Sequence, residues 1–513
     1  MAESGQRADL SQAIILGGYA AHLLMALALT AVLGRYLSAA DFGFFAIVAA
    51  CFGFARDATD LGSTVAAARD IRRDPSRLRL LIEGLIAWRS LMALVLALAV
   101  LTLANGQADG QRLTVLTLAA IALLGFGPTA FHALFLARQT QLAVTLLSLV
   151  CQGLLFAGCV VLVHAGQAGV GPAVLLVGRE ALGLLGLAWL GRRALGYWPE
   201  VRTHWPALRG FAGSAGLWAL AALCRHLLGQ VDLLSVYALR GEAEVGALSA
   251  AYRPLSPAFL LPWLVTAPLV PIMAVAAERD PARGLALMAH AMTLALGLGA
   301  LAACAAWVLA DDLVALFYGG RYTSPQSDAA AAMRWLALAI VPTQLIAVAS
   351  VALLVTAREK VALIAVALAL LVKIVANGLL VPVHGFLVAP QTTLLVESLL
   401  ALVLSLIVFW PGAQRRPLGA ALARALPKWA AALLPALLLW VLHRALGLMQ
   451  LPELPPWSHL ATILLATALG AWALLASALG RGYMQALRAA TALEPVAVRH
   501  IPEVGVRIDP GLK

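Results

Sequence analysis

FGFARDATDLG, residues 52–62, sets one arginine and two aspartates inside a stretch that otherwise reads as buried in hydrocarbon. Whether those charges end a helix or lie within one that crosses a membrane decides the fold. The surrounding composition answers first. Of 513 residues, 62% are hydrophobic and only 12% charged, and the mean hydropathy is +0.91, so apolar side chains must cover the outside of the molecule as well as its core. Windows of about twenty apolar residues, enough to cross a bilayer, recur fourteen times. They run from 13–34 and 42–64, through 211–234 and 245–272, to 386–410, 429–446 and 459–480. The charges of residues 52–62 therefore fall inside the second window, and the expected fold is an all-α polytopic membrane protein with about 14 transmembrane helices.

Loop charge sets the orientation. Twenty-four of the 36 Lys/Arg fall in alternate connections and the two termini, and only Arg35, Arg112, Arg240, Arg321 and Arg444 fall in the others. Positive loops stay in the cytoplasm, which places both termini there. The first window is too long for a cleaved signal and reads as an uncleaved anchor. The net charge of +11 is concentrated in inner segments such as RDIRRDPSRLR, 69–79. It suits an anionic leaflet and gives no reason for a nucleic-acid partner. Cys51, Cys151, Cys159, Cys224 and Cys304 all lie in spans without a CxxC pair, as packing residues do.

Several enzyme classes lack their residues. The four lysines complete no GxxxxGK[ST] loop, and none of the ten histidines forms HExxH. AGSAG at 212–216 lacks the first glycine of a nucleophile elbow and reads as a close helix contact. No cofactor or metal set is predicted, and the chain reads as a non-enzyme. A polytopic glycosyltransferase or ligase is the weakest alternative, because the first outer loop offers one acid, Asp41, and the Asp311-Asp312 pair, which begins the longest outer loop, is followed so soon by FYGGRY that little room is left for a catalytic domain.

The informative residues are the charges within spans, each costing about 2.5–3.5 kcal/mol at a helix centre if left facing lipid. Arg56 and Asp60 are four apart and share a helix face, as do Asp57 and Asp60; Arg225 and Asp232 align through Gly229. Lys373 and Glu397 lie at similar depth on neighbouring spans, and Arg179 adjoins Glu180. Arg253, in SAAYRPLSP at 249–257, has no acid within four residues, and Pro254 and Pro257 predict a broken helix beside it. A guanidinium so placed is a candidate phosphate ligand. Arg89, after Trp88, is a second of that kind. The candidate substrate-binding cations are thus Arg56, Arg89, Arg225 and Arg253. Asp57, Asp60, Asp232, Lys373 and Glu397 are candidates for ion coupling or charge pairing.

The halves echo one another. Asp41-Phe42-Gly43 and Glu244-Val245-Gly246 open the second and eighth spans, and LARQTQLA (136–143) and TAREKVAL (356–363) follow the fourth and tenth. Repeats of six spans run parallel and enclose a cavity between them. The predicted division is a six-helix lobe over 1–200, another over 201–415, two appended helices over 416–480 and a cytoplasmic tail over 481–513.

RYLSAADFG at 35–43, DLG at 60–62, VDLLSVYALRGEAEVGALSAAYR at 231–253, LFYGGRY at 316–322 and VHGFLVAPQTT at 383–393, in this order over roughly residues 10–480, form a recognisable set. The chain resembles the polysaccharide-transporter branch, including O-antigen flippases, of the multidrug/oligosaccharidyl-lipid/polysaccharide exporter superfamily. The resemblance implies two six-helix lobes around a central cavity in a bacterial inner membrane. It implies export of polyprenyl-pyrophosphate-linked sugar units by a monomer, with membrane lipids and a polysaccharide polymerase as candidate partners. Cavity arginines on the second and eighth spans, which in this chain carry Arg56 and Arg253, are part of that expectation. The late motif departs from the usual G-x-x-G-A, with Pro390 among its residues, which leaves the path of the twelfth helix open. A cation-coupled multidrug exporter of the same superfamily is the main alternative, and it predicts twelve spans and an acidic pocket.

Overall fold

The computed structural model of the chain describes residues 2–409, apart from 106–108, 139, 168, 200–204, 267–280, 325–326 and 356–357. It also describes residues 438, 441 and 463–471. The thirteenth and fourteenth expected spans fall outside the described residues except for these last few, and the tail from 481 falls outside entirely.

Each of the first twelve expected spans coincides with a helix or a bent helix pair. They are α1 (Ala2–Tyr36), α2 (Ala39–Asp60), α4 (Leu78–Asn105), α5 (Gly110–Leu124) with α6 (Phe131–Ala137), α7 (Leu142–His164), α8 (Gly171–Leu195), α9 (Trp205–Arg240), α10 (Glu242–Thr266), α11 (Pro281–Val308), α13 (Ala329–Val355), α14 (Glu359–His384) and α15 (Val388–Phe409). The bent pair turns by 47° around Pro128. Short helices α3 (Ser63–Arg73) and α12 (Ala310–Tyr318) lie at opposite faces of the bundle. Large apolar side chains such as Leu185, Leu379 and Val383 are exposed on its outside. That surface is stable only against lipid, so the chain is a multi-pass membrane protein.

Helix packing repeats between the halves. In the first, α1 packs on α7, α4 on α5 and α7 on α8; in the second, α9 packs on α14, α11 on α13 and α14 on α15. These are equivalent pairs six spans apart, which accounts physically for the weak echo in sequence. One apolar core, holding Phe42, Phe44, Phe52, Val236, Leu248 and Met333, is shared by both halves and lies toward the face that carries Ser38. Toward the opposite face, which carries Arg72, each half has its own core, around Ile82 and Phe131 in the first and around Met288 and Leu353 in the second.

Local chemistry sets the helix ends. Ser38 caps α2 by accepting the Asp41 N–H at 3.1 Å. At the other end Leu61 and Gly62 both take positive φ, 44° and 76°, which turns the chain from α2 into α3. The Asp60 carboxylate then accepts the Gly62 N–H (3.2 Å), the Thr64 N–H (3.1 Å) and the Thr64 hydroxyl, holding the start of α3. Beyond α3, Asp74 accepts the Ser76 hydroxyl and N–H, and the hydroxyl bond above all holds its carboxyl below the usual carboxylate range.

The break expected at Pro254 and Pro257 is corrected, and the path left open at Pro390 is resolved. Helix α10 runs unbroken through Pro254 and Pro257. Pro257 cannot donate to the Arg253 carbonyl four residues back, and the Ser256 hydroxyl donates to it instead at 2.8 Å. Pro390 falls in the first turn of α15, where a missing N–H breaks no helical bond, so that helix is also continuous.

Candidate functional site

The three charges of residues 52–62 each tie α2 to a different neighbour. Arg56 donates to both oxygens of Glu180 on α8, at 3.1 and 3.0 Å. Asp57 meets the Nδ1 of His226 on α9 at 2.5 Å, a link between the halves, with the Phe54 ring stacked on the imidazole. Asp60 pairs with Arg89 on α4. The expected Arg56–Asp60 pair does not form, because the break at Leu61 and Gly62 commits the Asp60 carboxylate to α3 and leaves Arg56 facing α8.

Arg89 departs from the open setting expected for a substrate cation. It is 2% exposed and also donates to Thr129, Ser63 and Thr64, at 3.0, 2.9 and 2.8 Å. In this arrangement it fastens α2, α3 and α4 together.

In the second half the expected partners are exchanged. Arg225 pairs with Glu397 at 2.9 Å rather than aligning with Asp232, and Lys373 pairs with Asp232 at 3.0 Å rather than with Glu397. Seven residues are about 10 Å of helix, too far for Arg225 to reach Asp232 along α9; each side chain instead reaches the helix packed beside it. Lys373 and Asp232 are fully buried. Lys373 also donates to the Leu228 carbonyl at 2.8 Å, while Asp232 accepts from Asn377 (2.9 Å), Tyr252 (2.5 Å) and Thr393 (2.5 Å). This saturated network joins α9, α10, α14 and α15. Thr343 donates to Glu397. Arg179 does pair with Glu180, and Arg334 pairs with Asp311.

Arg253 stands apart. It is half-buried, and among the described residues no carboxylate or other acceptor meets its guanidinium. Three hydroxyls nearer the Ser38 face, those of Ser249, Tyr318 and Tyr322, are buried without a partner.

Toward the Ser38 face the halves are sealed. Gly43 on α2 and Gly246 on α10 cross so closely that a Cβ on either would come within 2.0 Å of the other helix's backbone, at the Glu242 or the Ala39 carbonyl oxygen. These are the glycines of the echoed acid-x-Gly motifs. Arg112 bridges Asp41 (3.2 Å) and Glu242 across the seam. Arg35 donates to the Phe317 carbonyl at 3.0 Å, and Arg321 returns a bond to the Leu37 carbonyl at 2.6 Å.

A cavity of about 550 Å³ opens within the first half, lined by α1, α2, α6, α7 and α8 and carrying Arg56, Asp60, Arg179 and Glu180. The cavity expected from sequence lay between the halves. His226, Glu180 and Arg179 were not singled out as site residues. Glu180 and Arg179 showed only as a neighbouring pair, and a histidine in a span gives no sign of which helix it will face.

A family model described as "Polysaccharide biosynthesis protein" matches residues 11–276. No curated protein matches the chain in sequence. Among solved structures, "Lipid II flippase MurJ, inward closed conformation" superposes with a TM-score of 0.70 at 13% identity, covering 90% of this chain and 97% of that one. An inward-facing "multidrug resistance MATE family transporter of the MOP superfamily" gives 0.56 at 15% identity, covering 75% and 93%. A MATE transporter from Vibrio cholerae, solved as a point mutant, gives 0.54 at 15%, covering 79% and 95%. At these identities the structures establish a shared helical fold and nothing beyond it. With more than half of its length matched by the family model, the chain belongs to the polysaccharide biosynthesis protein family.

Proposed function

We propose that the protein is a flippase that carries a polyprenyl-pyrophosphate-linked oligosaccharide, an O-antigen or exopolysaccharide repeat unit, from the cytoplasmic to the periplasmic leaflet by alternating access. The Arg72 face is then cytoplasmic and the Ser38 face periplasmic, in the inner membrane. The observation that carries this reading is Arg253, a cation within the membrane that has no counter-charge among the described residues. An ionised group with no partner is costly in hydrocarbon, and a diphosphate supplies what the guanidinium lacks.

The neighbouring cations extend the route. At 1.5 Å of rise per helical residue, Arg253 lies about 16 Å from the Ser38 end of its helix, Arg225 about 22 Å and Arg56 about 25 Å. An anion entering from the cytoplasm would meet them in succession. Arg56 and Arg225 each hold one acid that such an anion can displace in part. The prenyl tail remains in lipid. With the cell interior negative, outward movement of anionic charge gains roughly 2.3 kcal/mol per charge per 100 mV. Export of cationic drugs would instead call for acids free to receive the substrate, whereas Asp232 and Glu397 are buried and already bonded.

The test is Arg253→Ala and Arg253→Lys in cells that depend on this protein for surface polysaccharide. Losing a charge-assisted bond worth about 1.5–3 kcal/mol predicts roughly a 10- to 150-fold fall in export for the alanine variant at unchanged membrane abundance, with partial recovery for lysine. Normal export by Arg253→Ala would remove the reading.

A further inference from the structure

The cavity in the first half is a cleft with two different ends. At one end Leu136 and Gln141 lie at the Arg72 face, and Val144, Leu147, Leu184 and Leu187 form apolar walls further in. At the other end are Arg56, Arg179, Glu180 and His22. Glu180 is fifteen residues from the end of α8, about 22 Å of helix, so the polar end reaches mid-membrane. The volume is within the range of sites that enclose a drug-sized molecule, about 300–1,000 Å³.

The charges at the polar end do not balance. One carboxylate, Glu180, is held by two guanidiniums, those of Arg56 and Arg179. The neighbouring Arg89 is matched by Asp60 and adds nothing. The surplus is one positive charge. Arg56 keeps 54% of its side chain exposed although it is paired, and both of its bonds to Glu180 come from Nη2. The Nδ1 of His22 is buried at the same end without a partner. An apolar-walled cleft that ends in an unbalanced pair of guanidiniums is a site for one oxyanion on a compact polar body, and Glu180 marks where its carboxylate would bind.

We propose that this cleft is a second binding site, beside the diphosphate route and sharing Arg56 with it, which receives the sugar end of the substrate and takes glycans bearing an acidic sugar, with the sugar carboxylate on Arg179 and Arg56. The proposal rests on the transport reading only in assigning the ligand to the substrate; binding itself can be measured without transport.

The experiment uses the full-length protein in detergent and three probes. They are a soluble tetrasaccharide containing one glucuronate, the same tetrasaccharide with glucose in that place, and short-chain phosphatidylglycerol. The acidic tetrasaccharide is expected to bind at least tenfold more tightly than the neutral one. Arg179→Ala should abolish that preference, and Glu180→Gln, by removing the resident carboxylate, should strengthen acidic binding severalfold and leave the neutral probe unaffected. Should Arg179→Ala fail to fold, Glu180→Gln carries the test alone. Equal affinity for the two tetrasaccharides, binding of neither, or binding of phosphatidylglycerol alone would each overturn the assignment. A preference for the acidic probe in a protein that moves no lipid would keep the site and discard the flippase.

Discussion

Gly246→Ala places a methyl group where the structure has no room for one. The added Cβ would lie 2.0 Å from the Ala39 carbonyl oxygen and 2.9 Å from its carbon, both backbone atoms that cannot rotate away. An ordinary carbon–oxygen contact is about 3.3 Å or more, so α2 and α10 must part by roughly an ångström at the seal. Overpacking of this kind costs about 1–3 kcal/mol, and the cost falls only on the conformation in which the helices cross. A state that opens toward the Ser38 face escapes it. The population should shift toward that state by roughly 5- to 150-fold. Ser249, on α10 below the seal, is 1% exposed and reports the change. With the native cysteines replaced and Ser249→Cys introduced, Gly246→Ala should raise labelling by a membrane-impermeant maleimide added on the side of the Ser38 face at least fivefold. Gly43→Ala, facing the Glu242 carbonyl at 2.0 Å, should act alike. Unchanged labelling with an unchanged melting temperature would show that the glycine crossing does not control access.

Other expectations follow from the buried charges. Breaking the Lys373–Asp232 pair by Lys373→Met or Asp232→Leu alone should cost about 3–5 kcal/mol, because each leaves an uncompensated buried charge, while the double apolar variant should regain most of the loss; equal melting temperatures for the three would contradict this. Asp57→Cys with His226 retained should let cadmium bridge α2 to α9 and arrest transport until a chelator is added. Cadmium inhibition that persists in Asp57→Cys/His226→Ala would show that the bridge lies elsewhere.

The sequence made the frame legible and the partnerships illegible, for physical reasons. Hydropathy fixes where a helix must lie, so the first twelve windows coincide with helices, and the acid-x-Gly motifs at 41–43 and 244–246 mark the close crossing of α2 and α10 between the halves. Charge partners were read from spacing along one helix, as for Arg56 with Asp60 and Arg225 with Asp232, or from similar depth on consecutive spans, as for Lys373 with Glu397, and neither shows which helices pack together. Arg56 finds Glu180 across 124 residues, and Arg225 finds Glu397 across 172. Such pairs exist only after α2 has packed on α8 and α9 on α15, and no local pattern encodes them. For Arg253 the absence of a neighbouring acid is visible in sequence, and no acid meets it among the described residues. The prolines beside it misled, because the hydroxyl of Ser256 repairs the backbone bond that Pro257 removes.

The central claim is that guanidiniums within the membrane carry a lipid diphosphate from one leaflet to the other. It is tested most directly by reconstituting the wild type and Arg253→Ala in liposomes with a short-chain polyprenyl-diphosphate sugar and timing its appearance in the opposite leaflet, with and without a membrane potential. Rapid transfer by the wild type, lost in Arg253→Ala and absent for the uncharged polyprenol, is the predicted result. No transfer by the wild type, alongside uptake of a cationic drug that Arg253→Ala leaves intact, would contradict it.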